Sequence, residues 1–121
     1  MSIDQKIGYT RREFQQIFQV YANGVFEGLF KDFSFSDTKD RYFISFSADA
    51  GQNPLITIEK QKISADKALF IATTPAPKGT LRQVARSEKI GHFIEQLKQA
   101  IALIKLENKS KKPEKRPEKG R

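Results

Sequence analysis

The sequence predicts an α+β fold: an antiparallel meander of about five strands, with an N-terminal and a C-terminal helix on one face. Three observations predict it. Two segments with apolar residues at helical spacing bracket the chain. Between them run short segments of alternating apolar and polar residues, separated by turn clusters. The links between those segments are too short for crossovers, so consecutive strands must pair antiparallel.

The first helix announces its own start. Thr10-Arg11-Arg12-Glu13 is a capping box, in which the Thr hydroxyl accepts a free backbone N–H and the Glu carboxylate reaches back. Tyr9 before the cap and Phe14 beyond it form a hydrophobic staple. Phe14, Ile17, Phe18, Tyr21 and Val25 make one apolar stripe, and Gly28 supplies a C-terminal stop.

The strand region begins with "LFKDFSFS", which puts Leu29, Phe33 and Phe35 on one side. Asp37-Thr38-Lys39-Asp40 is a polar turn. In "RYFISFSA", Tyr42, Ile44, Phe46 and Ala48 share one face, and Arg41, Phe43, Ser45 and Ser47 the other. Gly51-Gln52-Asn53-Pro54 is a break. In "LITIEKQKI", Ile56 and Ile58 point inward, with Leu55, Thr57 and Glu59 opposite. Lys60 and Lys62 continue the Ile parity, where that face is expected to run out to solvent. "KALFIATT" is apolar on both sides and reads as an interior strand. Pro75, Pro77 and Gly79 make a turn, and "TLRQVAR" is the fifth strand.

Ser87 caps the second helix, whose stripe is Ile90, Phe93, Ile94, Leu97, Ile101 and Ile104. That helix is expected to end near Leu106. The organisation that follows is an N-terminal arm (1–8), one globular domain (9–106) and a basic tail (107–121). The tail holds no apolar residue and two prolines, so disorder is expected there.

Composition bounds the function. The chain has 121 residues, no Cys and a formal charge of +8. Half of that excess sits in the tail, so the rest is only mildly basic, which gives limited support to a polyanionic partner. With no Cys there is neither a disulfide framework nor a thiolate metal site. No apolar run approaches the roughly 20 residues that span a bilayer, and "MSIDQKIGYTRREF" has no apolar leader core, so no membrane role and a cytoplasmic location are expected.

No nucleophile elbow, phosphate loop or metal-spaced cluster is present, and no cofactor is expected. The single His, His92, falls off the apolar stripe of its helix. Asp32 and Glu59 are the carboxylates considered for convergence, against the plainer reading that each pairs with a Lys or Arg. The expectation is a chain that is not an enzyme.

The candidate binding residues are Arg11, Arg12, Arg41, Phe43, Lys60, Lys62, Arg82 and Arg86. Arg11 and Arg12 oppose the helix dipole, so they are either offset by Glu13, Asp4 or a strand carboxylate, or kept to grip an anion at the helix start. Arg82 and Arg86 share one side of the last strand by parity. Phe43 is an aromatic on the polar side of its strand, and sheet aromatics interleaved with cations stack unpaired bases in several folds.

The stretches "YTRREF", "IFQVY", "GLFKDFSF", "RYFISFS" and "PLITIEK" together resemble the alphaproteobacterial domain of unknown function 2794 family, from about Tyr9 to Ile104. Arg11-Arg12-Glu13, Gly28, Asp32, Phe33, Pro54-Leu55 and Ile58-Glu59-Lys60 carry the resemblance. Phe30 stands where that pattern has Trp, Ala48-Asp49 where an Arg-Arg pair is common, and Gln83 where a second cation follows Arg82. The resemblance implies a bacterial cytosolic origin and no particular activity. A meander followed by a C-terminal helix is, by analogy only, also the plan of purine-rich-element-binding and transcription-coactivator single-strand binders.

The function expected is a small non-catalytic binding module for RNA or single-stranded DNA. The alternative is a protein-interaction or homodimerising module, with Phe43, Phe30 and apolar residues of the last strands covered by another chain. Salt dependence separates the two, because phosphate contacts weaken steeply with salt and apolar interfaces do not.

Overall fold

The computed structural model describes residues 8–51 and 53–115. Helix α1 spans Arg11–Phe26, followed by β1 (Asp32–Thr38), β2 (Arg41–Ser47), β3 (Pro54–Ser64), β4 (Lys67–Pro75), a 3₁₀ turn (Pro77–Gly79), β5 (Leu81–Ser87) and helix α2 (Ile90–Lys115). The strands form one open antiparallel sheet in sequence order, β1-β2-β3-β4-β5. The expected α+β meander is the fold.

The ends of α1 are set by local chemistry. Thr10 Oγ1 accepts the Glu13 N–H at 3.1 Å, and Glu13 Oε1 accepts the Thr10 N–H at 2.9 Å, so the capping box is closed. At the other end Gly28 takes φ +83°, a conformation that costs a residue without Cβ little. Its N–H donates to Val25 O, and the Leu29 N–H donates to Gly24 O, which satisfies two of the helix's last carbonyls in a Schellman arrangement.

The inner face of the sheet and both helices share one core. Ile44, Phe46, Ile56, Ile58, Phe70, Ala72 and Ala85 come from the strands. Tyr9, Ile17, Val20 and Phe30 join them from the N-terminal segment, and Phe93, Ile94, Leu97 and Ile101 from α2. Phe14 and Phe33 pack at its margin. Phe30, a candidate for contact with another chain, is fully enclosed here. Its ring lies against Gly24 of α1, where a Cβ would overlap it.

Three expectations are corrected. Lys60 does not run out to solvent: it is 6% exposed and lies inside, on the Ile56–Ile58 face. Arg82 and Arg86 do not share a side. Ala85 pairs with Ala72 but Gln83 pairs with Thr73, so Val84 is an extra residue that reverses the parity of β5. Arg82 therefore stands at the register of inward Thr74, and Arg86 at that of outward Ile71.

Helix α2 does not stop near Leu106 but continues to Lys115. Residues 107–112 lack Gly and Pro, and Glu107, Lys109, Lys111 and Lys112 are good helix formers that extend a nucleated helix. Pro113 lies in the final turn without ending the helix before Lys115. The first seven residues of the arm, with Asp4, and residues 116–121 of the tail lie outside the described residues. Ser87 Oγ accepts the Lys89 N–H at 3.1 Å, one turn ahead of the helical run.

Candidate functional site

Two features stand out, a buried ionic knot and an exposed aromatic edge. The knot ties α1 to β3. Lys60 Nζ donates to Glu13 Oε1 at 2.7 Å and to the Gly8 carbonyl at 3.0 Å. The same ammonium lies 5.5 Å from the Tyr9 ring centroid and 5.9 Å from that of Phe70, a cation–π setting. Tyr9 OH donates to the Tyr42 carbonyl at 2.8 Å. Burial, then the negative charges of Glu13 and Glu59, push the Tyr9 hydroxyl far above the usual tyrosine range. The Lys60 ammonium, Glu13 Oε1 and the Tyr9 hydroxyl each have a partner within the chain, and the chemistry of the knot is that of a structural clasp.

The predicted binding residues do not converge. Arg11 and Arg12 are exposed at the start of α1, on the helix side of the sheet. Glu13, a candidate to offset them, is committed to Thr10 and Lys60. Lys60 is held in the knot. Lys62 is exposed on the inner parity of β3, and its backbone N–H donates to Asp40 O. Arg82 lines a groove against α2 with Val84, Gln96 and Leu103.

Only Arg41, Phe43 and Arg86 remain on the outward face. There Phe43 is half-buried and sits beside Glu59, its register partner. The carboxylate of Glu59 takes Arg41 at 3.5 Å and Gln61 Nε2 at 2.9 Å, so the face carries a paired anion at its centre. Leu69 and Ile71, each half-buried, complete its apolar part.

The catalytic candidates stay apart. Asp32 pairs with Ser47 at one end of β2 and Glu59 with Phe43 four residues along, which separates them by at least about 13 Å. His92 Nδ1 lies 3.4 Å from Ser87 Oγ at the surface. Among the described residues no group of three His, Cys, Asp or Glu is placed to hold a metal. Among them, too, no helix is long and apolar enough to cross a membrane.

The aromatic edge was not anticipated as a site. Phe14, Phe18, Phe33 and Phe35 form one cluster, with Phe14–Phe18 stacked at 5.8 Å, Phe14–Phe35 at 5.9 Å, Phe18–Phe33 at 5.6 Å and Phe33–Phe35 at 5.0 Å. It reaches the surface beside β1, leaving Phe18 44% and Phe35 45% exposed. The signal was present in "KDFSFSD", because a meander makes its first strand an edge strand, and Phe there lacks a neighbour to cover it.

The two edges of the sheet differ. β5 carries two arginines and a bulge, and its Arg86 N–H is taken at 2.6 Å by Gln96 Oε1 of α2. Those are devices that stop an edge from pairing further. β1 has none of them: it runs from Asp32 to Thr38 in unbroken register with β2, with no Lys, Arg or Pro inside it.

The family described as "Protein of unknown function (DUF2794)" matches residues 7–89, which takes in the knot, the aromatic edge and the whole sheet and stops just ahead of α2. No curated protein and no solved structure matches the chain. The chain belongs to the DUF2794 family of proteins of unknown function.

Proposed function

We propose that this chain is a non-catalytic protein-interaction module that self-associates, rather than an RNA or single-stranded DNA binder. The observation that carries this reading is the distribution of charge against the distribution of exposed aromatics. The cations picked out in the sequence are spread over opposite faces of the sheet, and one of them is neutralised in the core. A backbone-tracking nucleic-acid groove needs such cations together, with aromatic rings interleaved among them. Here two exposed rings, Phe18 and Phe35, gather instead with Phe14 and Phe33 at a strand edge that has no strand partner among the described residues, the kind of surface that takes another strand. A cytoplasmic location belongs to the same proposal.

The test combines sedimentation equilibrium with titration of one labelled single-stranded oligonucleotide, each at about 50 and 500 mM salt. Concentration-dependent self-association that persists at high salt supports the module. A monomer at every concentration, with oligonucleotide binding that falls steeply with salt, would replace it with the nucleic-acid role.

A further inference from the structure

We infer that the surface of self-association is the free edge of β1, and that its occupant is β1 of a second copy, paired antiparallel about a two-fold axis at Ser34. This rests on the self-association reading and specifies its geometry. The sheet would continue across the axis as ten strands, with the unpaired N–H and C=O groups of each β1 satisfied by the other.

The register follows from what the edge carries. A two-fold axis at Ser34 places Phe33 opposite Phe35 of the second copy, and Phe35 opposite its Phe33. Both positions lie on the helix-covered face, where Phe33 and Phe35 are opposite Phe46 and Ile44 of β2. Two cross-strand aromatic pairs result, extending a cluster whose outermost rings are half-exposed in the single chain. The same axis sets Lys31, just ahead of β1, opposite Asp37 of the second copy, twice.

Those charges are available. Among the described residues the one ion pair of Lys31 is a 3.8 Å exposed contact with Asp49, with the two side chains 70% and 56% exposed. Asp37 has no ion pair among the described residues. On the other face Ser34 meets its own counterpart and Asp32 meets Ser36, so no like charges oppose each other. A register centred one residue on, at Phe35, would instead set each Phe33 against Asp37 and lose both charge pairs.

The absence of native Cys makes the register measurable in the full chain. With the axis at Ser34, the two Ser34 Cα atoms stand about 4.5–5.5 Å apart, within the span of a disulfide. The two Ser36 Cα atoms are offset by four residues, about 13 Å, and out of reach. Both side chains are exposed, so Ser34→Cys and Ser36→Cys leave the core untouched.

Mild oxidation should give covalent dimers from Ser34→Cys and none from Ser36→Cys. Asp37→Lys should weaken association about tenfold, and adding Lys31→Asp should restore it. Dimers from Ser36→Cys, or no cross-link from Ser34→Cys in a preparation that sediments as a dimer, would overturn the register while leaving self-association standing through another surface. A wild-type chain that sediments as a monomer at all concentrations would remove both.

Discussion

The Lys60 ammonium and the Glu13 carboxylate meet at 2.7 Å although they stand 47 positions apart in the chain, and both are largely withdrawn from water: their side chains are 8% and 16% exposed. One end of this contact is the N3 position of α1, the other an inward position of β3. A carboxylate that caps its own helix thus also anchors that helix to the sheet. Glu13→Gln preserves the hydrogen bond to Thr10 and removes the charge, leaving the ammonium desolvated without a counter-ion. It should cost about 3–5 kcal/mol in urea unfolding. Lys60→Met in the Glu13→Gln background should recover part of that loss. Additive single-mutant effects would show that the two side chains are not energetically coupled.

Tyr9 makes stability depend on alkaline pH. Its hydroxyl is held neutral in the folded chain by burial and by the charges of Glu13 and Glu59, so its folded pKa lies above the unfolded value of roughly 10. A raised folded pKa contributes stability that is fully present below the unfolded pKa and is lost as pH rises past it. Melting temperature should therefore be insensitive to this group up to about pH 9 and fall above about pH 10. Tyr9→Phe removes that titration, along with the hydrogen bond to Tyr42 O, and should flatten the alkaline limb while lowering the plateau. Parallel alkaline limbs in the two proteins would exclude Tyr9 as the cause.

Gly24 is a helix residue whose replacement should run against propensity. Ala is favoured over Gly in a helix interior by about 1 kcal/mol. At this position the added methyl meets the ring of Phe30, which is itself enclosed by Tyr21 and Phe46. Overpacking of about 1–3 kcal/mol should outweigh the propensity gain, so Gly24→Ala is expected to lower the melting temperature. A higher melting temperature would mean that Phe30 moves aside freely.

Arg11 and Arg12 occupy the first turn of α1 with no ion pair among the described residues, and there a cation opposes the helix dipole. Changing both to Glu should raise stability by about 0.3–1 kcal/mol per residue, read as a small increase in melting temperature at low salt that shrinks at high salt. A marked loss would assign them structural partners.

The periodicities of this chain made its architecture legible, because an apolar stripe needs an apolar partner and a meander offers only one inner face. Phe93, Leu97, Ile56 and Ile58 meet where their spacing put them. What stayed hidden depended on facts that spacing does not contain. Val84 adds one residue to β5, and parity counted across it placed Arg82 and Arg86 on the same side when they stand on opposite ones. Lys60 was correctly placed on the Ile parity. Its burial followed from a partner in α1 that no local pattern pointed to.

The strand order has a kinetic consequence. Every ladder joins sequence neighbours, two of them through connections of only two residues, Lys39-Asp40 and Ala65-Asp66. Loop closure of that length is fast, so the sheet can zip hairpin by hairpin without waiting for a distant segment. Among the contacts between distant parts of the chain, those of Tyr9 with Tyr42 and of Glu13 with Lys60 join the N-terminal segment to the sheet. They form once the sheet exists to receive α1, which places them after the main barrier. Weakening them should leave the folding rate almost unchanged and let the native chain open faster.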